Sequence, residues 1–140
     1  MPLRLHKDLK IELIKKVPLF APLASRQLAQ VASIADEFHL PEGRVLTQQG
    51  ERGREFFVLV DGEVEVRRNG RRRATMGAGD FFGEMALVSD RPRGATVTAT
   101  TPVRVLVVKD SDFRSLLMRM PQIAVKVLEA FVDRLPDADA

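Results

Sequence analysis

All nine glycines of this 140-residue chain fall between Gly43 and Gly94, and the segments on either side contain none. Glycine serves turns, bulges and close backbone approach, and it weakens the interior of a helix. The distribution predicts a middle of short strands joined by tight turns, enclosed by helical ends. Strands are expected at Arg44–Gln48, Phe56–Val60, Glu63–Arg68, Ala95–Ala99 and Val103–Val108. In Glu63-Val64-Glu65-Val66-Arg67 apolar and charged residues alternate strictly, the period of a half-buried strand. Asn69-Gly70 then supplies the dipeptide favoured in a type I′ hairpin turn. Many short strands with frequent glycine turns indicate a jelly roll or small barrel.

The flanks read as helices. Asp8 is a candidate cap, Leu9, Leu13 and Val17 follow at helical spacing, and Pro18 stops the run. A second helix is expected from Ser25 to Asp36, with Leu28, Val31, Ala32 and Ala35 on one stripe. Near the C-terminal end, Asp110 or Ser111 is expected to cap a short helix. Pro121 opens another that ends before Pro136 and aligns Ala124, Leu128, Phe131 and Leu135. The expected fold is one α+β domain: an antiparallel β-roll, a jelly-roll-like barrel, between N-terminal helices and a C-terminal helix.

Composition narrows the chemistry. Hydrophobic residues make up 45% and charged residues 29%, which suits a folded domain and not a disordered chain. The absence of cysteine excludes a disulfide scaffold, a thiolate metal site and a cysteine nucleophile, and it suits a reducing compartment. His6 and His39 lie far apart in sequence, so neither a metal centre nor a catalytic residue is expected. Met1-Pro2-Leu3-Arg4 opens on charge, and no apolar run approaches the length of a membrane span; a cytoplasmic protein is expected. The excess of 22 Lys+Arg over 19 Asp+Glu is too small to indicate nucleic acid by itself.

The most informative stretch runs from Gly79 to Thr96. Gly77, Gly79 and Gly83 interrupt the strand pattern, and Glu84–Val88 has room for barely one helical turn. A helix opening from glycine aims unpaired N–H groups outward, which suits a phosphate-like anion. Arg93 lies just before the strand Ala95–Ala99, which points its guanidinium into the roll, where a buried charge needs an anion. Glu84 is a candidate for that anion, or for accepting a hydrogen bond from a ligand hydroxyl. From the residues alone, a ligand site and a structural Glu84–Arg93 pair both stand.

Phe82-Gly83-Glu84-Met85-Ala86-Leu87, followed by Pro92-Arg93-Gly94-Ala95-Thr96-Val97, closely resembles the phosphate-binding cassette of cyclic nucleotide-binding domains. That family includes bacterial catabolite activator proteins, regulatory subunits of protein kinase A and cyclic-nucleotide-gated channels. Pro41-Glu42-Gly43-Arg44-Val45-Leu46, Gly50-Glu51-Arg52-Gly53 and Phe56 through Val66 resemble the family's first strands and turns, and Pro18-Leu19-Phe20 the turn before its first domain helix. The resemblance implies a cyclic nucleotide ligand, no catalysis and no further cofactor. It implies that Gly83, Glu84, Met85 and Ala86 offer backbone amides to the cyclic phosphate. Glu84 would accept the ribose 2′-hydroxyl, and Arg93 and the backbone around Ala95 would hold the phosphate. Family members that prefer cGMP often carry threonine where this chain has Gly94, so the resemblance leans to cAMP over cGMP. The last helix resembles the family's lid, with Arg134 placed to stack on the purine; a solvated Arg134 on an ordinary packed helix stands beside that reading.

The expected organisation is a helical extension over residues 1–17, a nucleotide-binding domain over 18–136 and a short tail over 137–140. Signalling through movement of the lid to a downstream protein is the expected function. The alternatives are a fold that binds no nucleotide and serves as an interaction module, or a regulatory piece of a larger transcription factor or channel. With Ala140 as the last residue there is no room for a recognition helix, so no sequence-specific DNA binding is expected. The helix starting at Asp8 has three open roles: packing on the roll, pairing with a second copy, or docking a partner. Arg67, Arg68, Arg71, Arg72 and Arg73 surround the Asn69-Gly70 turn, and a solvated hairpin tip is favoured there over nucleic acid because no aromatic residue is interleaved.

Overall fold

The computed structural model describes residues 2–83 and 91–134. Helix α1 (Pro2–Lys15) and helix α2 (Ser25–Ile34) lead into strands β1 (Asp36–Leu40), β2 (Val45–Thr47), β3 (Glu55–Asp61), β4 (Val64–Arg68) and β5 (Arg71–Met76). Strands β6 (Phe81–Phe82), β7 (Thr96–Ala99) and β8 (Val103–Lys109) follow, then helices α3 (Asp110–Arg119) and α4 (Pro121–Arg134). The strands form two four-stranded antiparallel sheets, β1-β8-β3-β6 and β2-β7-β4-β5. The expected β-roll is therefore present as two packed sheets and not as a closed barrel. Strands β5 and β6 stand at sheet edges with no ladder between them.

Strand β3 shows why the middle of the chain holds together. Its run Phe56-Phe57-Val58-Leu59 is buried at every position. Phe56 and Val58 face the helices, joining a core with Ile14, Phe20, Val31, Phe113 and Leu116. Phe57 and Leu59 face the roll interior, against Val64, Phe82, Val97 and Val105. A strand covered on both faces loses its alternation and reads as a continuous apolar run. Phe56 stacks on Phe113 with ring centroids 4.4 Å apart and meets Phe81 edge-on at 5.4 Å. Each fully buried aromatic or aliphatic side chain of this kind contributes about 1.5–3 kcal/mol. That contribution fastens α3 to the sheet.

The helices depart from expectation in detail. Helix α1 begins at Pro2, so Asp8 lies inside it and not at its N-terminus. Its buried face centres on Ile14, with Val17 just beyond, while Leu9 is 55% exposed. Helix α2 stops at Ile34 and buries Leu28, Val31 and Ala32 as expected; Asp36 opens β1 instead of closing the helix. Gln27 Oε1 accepts from the Ala24 N–H at 2.9 Å, satisfying one donor ahead of the first turn of α2. Helix α3 starts at Asp110 with Lys109 as its flanking residue, so neither Asp110 nor Ser111 is the cap; Asp110 and Asp112 instead place negative charge in the first turn. In α4 the buried anchor is Ile123, while Leu128 is 61% exposed and does not join the expected stripe. Leu135, and the side chain of Phe131, lie outside the described residues.

Strands β1, β5 and β6 are not among those expected from pattern. Strand β1 pairs with β8 along its whole length, and β6 is two phenylalanines against Phe57 and Val58. Strand β5 continues from the Asn69-Gly70 turn, where both residues have positive φ (54° and 77°), the backbone of a type I′ turn.

Candidate functional site

Arg93 is held by its main chain before its side chain does anything. Its N–H donates to Glu51 O at 2.7 Å, and its carbonyl accepts from the Gly50 N–H at 2.8 Å. These two bonds lock the start of the segment that enters β7 onto the loop ahead of β3. The side chain is only 10% exposed. Nη2 donates to Glu55 O at 2.8 Å, Nη1 reaches Gly83 O at 3.4 Å, and the Glu55 carboxylate stands 3.7 Å away. The guanidinium carbon lies 5.8 Å from the centre of the Phe57 ring.

Two glycines make room for this side chain. A Cβ on Gly53 would stand 2.0 Å from Arg93 Nε, so any side chain there would expel the guanidinium. Gly83 has φ +87°, a conformation that side chains oppose, and a Cβ on it would meet Glu55 O at 2.7 Å and Arg93 Nη1 at 2.9 Å. Phe82, one residue earlier, is buried and stacks nearly parallel on Phe57 at 4.8 Å, which seats the end of β6 on β3. The result is a narrow slot between β3 and the end of β6 that admits a planar guanidinium and little else.

The segment after Arg93 is equally tied down. Gly94 O accepts from Arg68 Nε at 3.1 Å, and Ala95 O accepts from the buried Thr47 hydroxyl at 3.2 Å. Thr96 Oγ1 accepts from the Gln49 N–H at 2.9 Å. Strands β2 and β4 and the loop after β2 thus converge on the short stretch that enters β7.

Of the residues singled out from the sequence, Phe82, Gly83, Arg93, Gly94 and Ala95 are brought to this place. Glu84, Met85 and Ala86, together with the expected short cassette helix and the Glu84–Arg93 pairing, lie outside the described residues. Arg134 is the last residue of α4, and its side chain also lies outside them. Among the described residues, the carbonyls of Glu55 and Gly83 receive the fork of Arg93. Gly53, Glu55 and Phe57 were not singled out for this role. Gly53 carried a signal, a glycine outside any strand just before an apolar run, but its partner 40 residues on is visible only in three dimensions. Among the described residues, no group of three or more His, Asp or Glu side chains could hold a metal ion, and no helix is long and apolar enough to cross a membrane.

The geometry suits binding of an anion. A guanidinium with fixed orientation presents paired donors that match a phosphate or carboxylate. The family model for the cyclic nucleotide-binding domain matches residues 37–120. A cyclic nucleotide-gated potassium channel of Rhizobium etli is 37% identical over 88% of this chain and 34% of the channel. A cAMP-dependent protein kinase regulatory subunit of Yarrowia lipolytica is 36% identical over 74% of this chain and 28% of the subunit. The chain spans about a third of the length of these curated relatives. Among solved structures, the catabolite activator protein of Thermus thermophilus superposes with a TM-score of 0.78 at 29% identity, covering 87% of this chain and 60% of that one. Because that model matches more than half of the chain, from within β1 to just past α3 and including Arg93, the chain belongs to the cyclic nucleotide-binding domain family.

Proposed function

We propose that this chain is a cyclic nucleotide receptor without catalysis, that cAMP is its ligand, and that binding is signalled to a downstream protein through movement of α4. The observation that carries the proposal is the placement of Arg93. An arginine 10% exposed, clamped through both its main-chain groups and given space by Gly53 and Gly83, is built to hold one orientation. A cyclic phosphodiester carries one negative charge, which one arginine and a few oriented N–H dipoles neutralise. In this proposal Gly83, Met85 and Ala86 offer amides to the phosphate and Glu84 accepts the ribose 2′-hydroxyl. Phe82 supports the slot from below, Gly94 and Ala95 complete the phosphate contact, and Arg134 stacks on the purine.

The preference for cAMP is supported by Gly94, which offers no side-chain donor to a guanine amino group. The domain is taken to run over residues 18–136, with 1–17 a helical extension and 137–140 a tail. A cytoplasmic place and the absence of sequence-specific DNA binding belong to the same proposal.

A second reading has one observation in its favour. The fork of Arg93 is already received by Glu55 O and Gly83 O, which is what a purely structural arginine would show. In that case the domain is an interaction module that binds no nucleotide. Calorimetric titration with cAMP and with cGMP separates the two. Saturable binding with cAMP tighter than cGMP is the expected result. No heat with either nucleotide would leave the structural reading standing.

A further inference from the structure

We propose that the tip of the β4–β5 hairpin is a second anion site, built on the opposed pair Arg68 and Arg71, for a group that carries two or more neighbouring phosphates. Residues 67–73 hold five arginines and no carboxylate. The strand register sets Arg68 directly opposite Arg71 and Arg67 directly opposite Arg72, and a bulge leaves Arg73 as the extra residue. Directly opposed residues of antiparallel strands share a face, with Cβ atoms about 4.5–5.5 Å apart, and like charges so placed destabilise the pair. Two such pairs in succession are a standing electrostatic cost. Arg67 is relieved by its ion pair with Glu65. Among the described residues, no carboxylate forms an ion pair with Arg68, Arg71, Arg72 or Arg73.

A loose hairpin tip would relieve this repulsion by swinging apart, but this tip is pinned. Arg68 Nε donates to Gly94 O at 3.1 Å, which fixes the side chain and leaves its two terminal nitrogens to donate elsewhere. The Gln49 side chain clasps Asn69 twice, accepting from its N–H and donating to its Oδ1, both at 2.8 Å. Arg67 Nη1 donates to Gly70 O at 3.0 Å, closing the turn from within. The cost of ordering part of this surface is therefore met in the folded protein, before any ligand arrives. Each guanidinium presents a planar fork matched to one phosphate, so two opposed forks match two phosphates of one group. No aromatic residue is interleaved to stack on bases, which leaves phosphate as the recognised chemistry. Arginines on an edge strand also discourage edge-to-edge pairing. That role needs charge alone and no selectivity among anions.

The test uses the whole chain with no cyclic nucleotide present, so its outcome is independent of the nucleotide proposal. Calorimetric titration with tripolyphosphate is compared with orthophosphate, and cosedimentation is run with phosphatidylcholine vesicles with and without phosphatidylinositol bisphosphate. Tripolyphosphate is expected to bind at least tenfold tighter than orthophosphate, and to weaken steeply with added salt. The double variant Arg68→Gln, Arg71→Gln should lower that affinity at least about tenfold, the scale of one lost charge-assisted hydrogen bond. Arg26→Gln, a change of charge on the exposed side of α2, should leave it unaltered. The double variant also loses the Arg68–Gly94 hydrogen bond, so the single variant Arg71→Gln is measured beside it: it keeps that bond, removes the like-charge opposition, and should melt no earlier than the wild type while binding tripolyphosphate more weakly, which separates lost binding from lost folding. Binding in either arm that disappears in the double variant sustains the site, and the arm in which it is seen names a soluble or a lipid source. Tripolyphosphate no tighter than orthophosphate together with no vesicle binding, or binding that survives the double substitution, overturns it.

Discussion

Arg93→Ala is the substitution on which most of the site turns, because the same side chain serves the fold and the proposed ligand. In the ligand-free protein it removes a charge-assisted hydrogen bond to Glu55 O at 2.8 Å and a weaker one to Gly83 O at 3.4 Å. The Glu55 carboxylate, 3.7 Å away and itself 48% exposed, adds little, since solvent screens such a pair. One hydrogen bond to a charged donor contributes about 1.5–3 kcal/mol. For a chain of this size each kcal/mol moves the melting temperature by roughly 2–4 °C, so a fall of about 3–12 °C is expected without ligand. The buried, bonded side chain thus serves the fold even without ligand. In the presence of cAMP a second loss is expected. Truncating one partner of a buried charged pair costs about 2–5 kcal/mol, which is roughly thirtyfold or more in affinity. Melting curves of wild type and variant, each with and without saturating cAMP, read both quantities. A variant that melts with the wild type in the absence of ligand would refute the structural part of this reasoning. A variant that gains as much melting temperature from cAMP as the wild type would refute the binding part.

Gly53→Ala leaves every charge in place but puts a Cβ 2.0 Å from Arg93 Nε, so the guanidinium must leave its slot; nucleotide affinity should fall about as far as in Arg93→Ala, and unchanged binding by calorimetry would show that the slot does not orient the arginine. Phe113→Ala removes a side chain that is 1% exposed and stacked on Phe56; chemical denaturation should show a loss of about 3–5 kcal/mol, and a loss below one would mean the core under α3 closes over the gap. Arg134→Ala should weaken cAMP binding by about 1–2 kcal/mol, the range of a desolvated cation–π contact, with the melting temperature of the ligand-free protein unmoved. Equal affinity in the variant returns Arg134 to solvent.

Local chemistry written along the chain was legible without coordinates. The confinement of glycine to residues 43–94 marked the sheets off from the helices, and the alternation from Glu63 to Arg67 with Asn69-Gly70 located a hairpin that is present. These are short-range effects, in which side-chain period and backbone freedom act within a few residues. The cassette from Phe82 to Val97 was legible as a resemblance to the cyclic nucleotide-binding family, to which the chain belongs, while the residue types alone left a ligand site and a structural pair both open. Other features belong to tertiary structure alone. Asp36–Leu40 becomes a strand because β8 offers it a ladder, not because Asp-Glu-Phe-His-Leu favours one. Two phenylalanines count as a strand only beside Phe57 and Val58. The roll stays open as two sheets because β5 and β6 share no ladder. Glu55, Gly53 and Gly83 surround Arg93 from positions 38, 40 and 10 residues away in sequence. What an arginine binds when no ligand is present depends on which carbonyls the packed sheets bring within hydrogen-bond reach, and no periodicity in the chain encodes that distance.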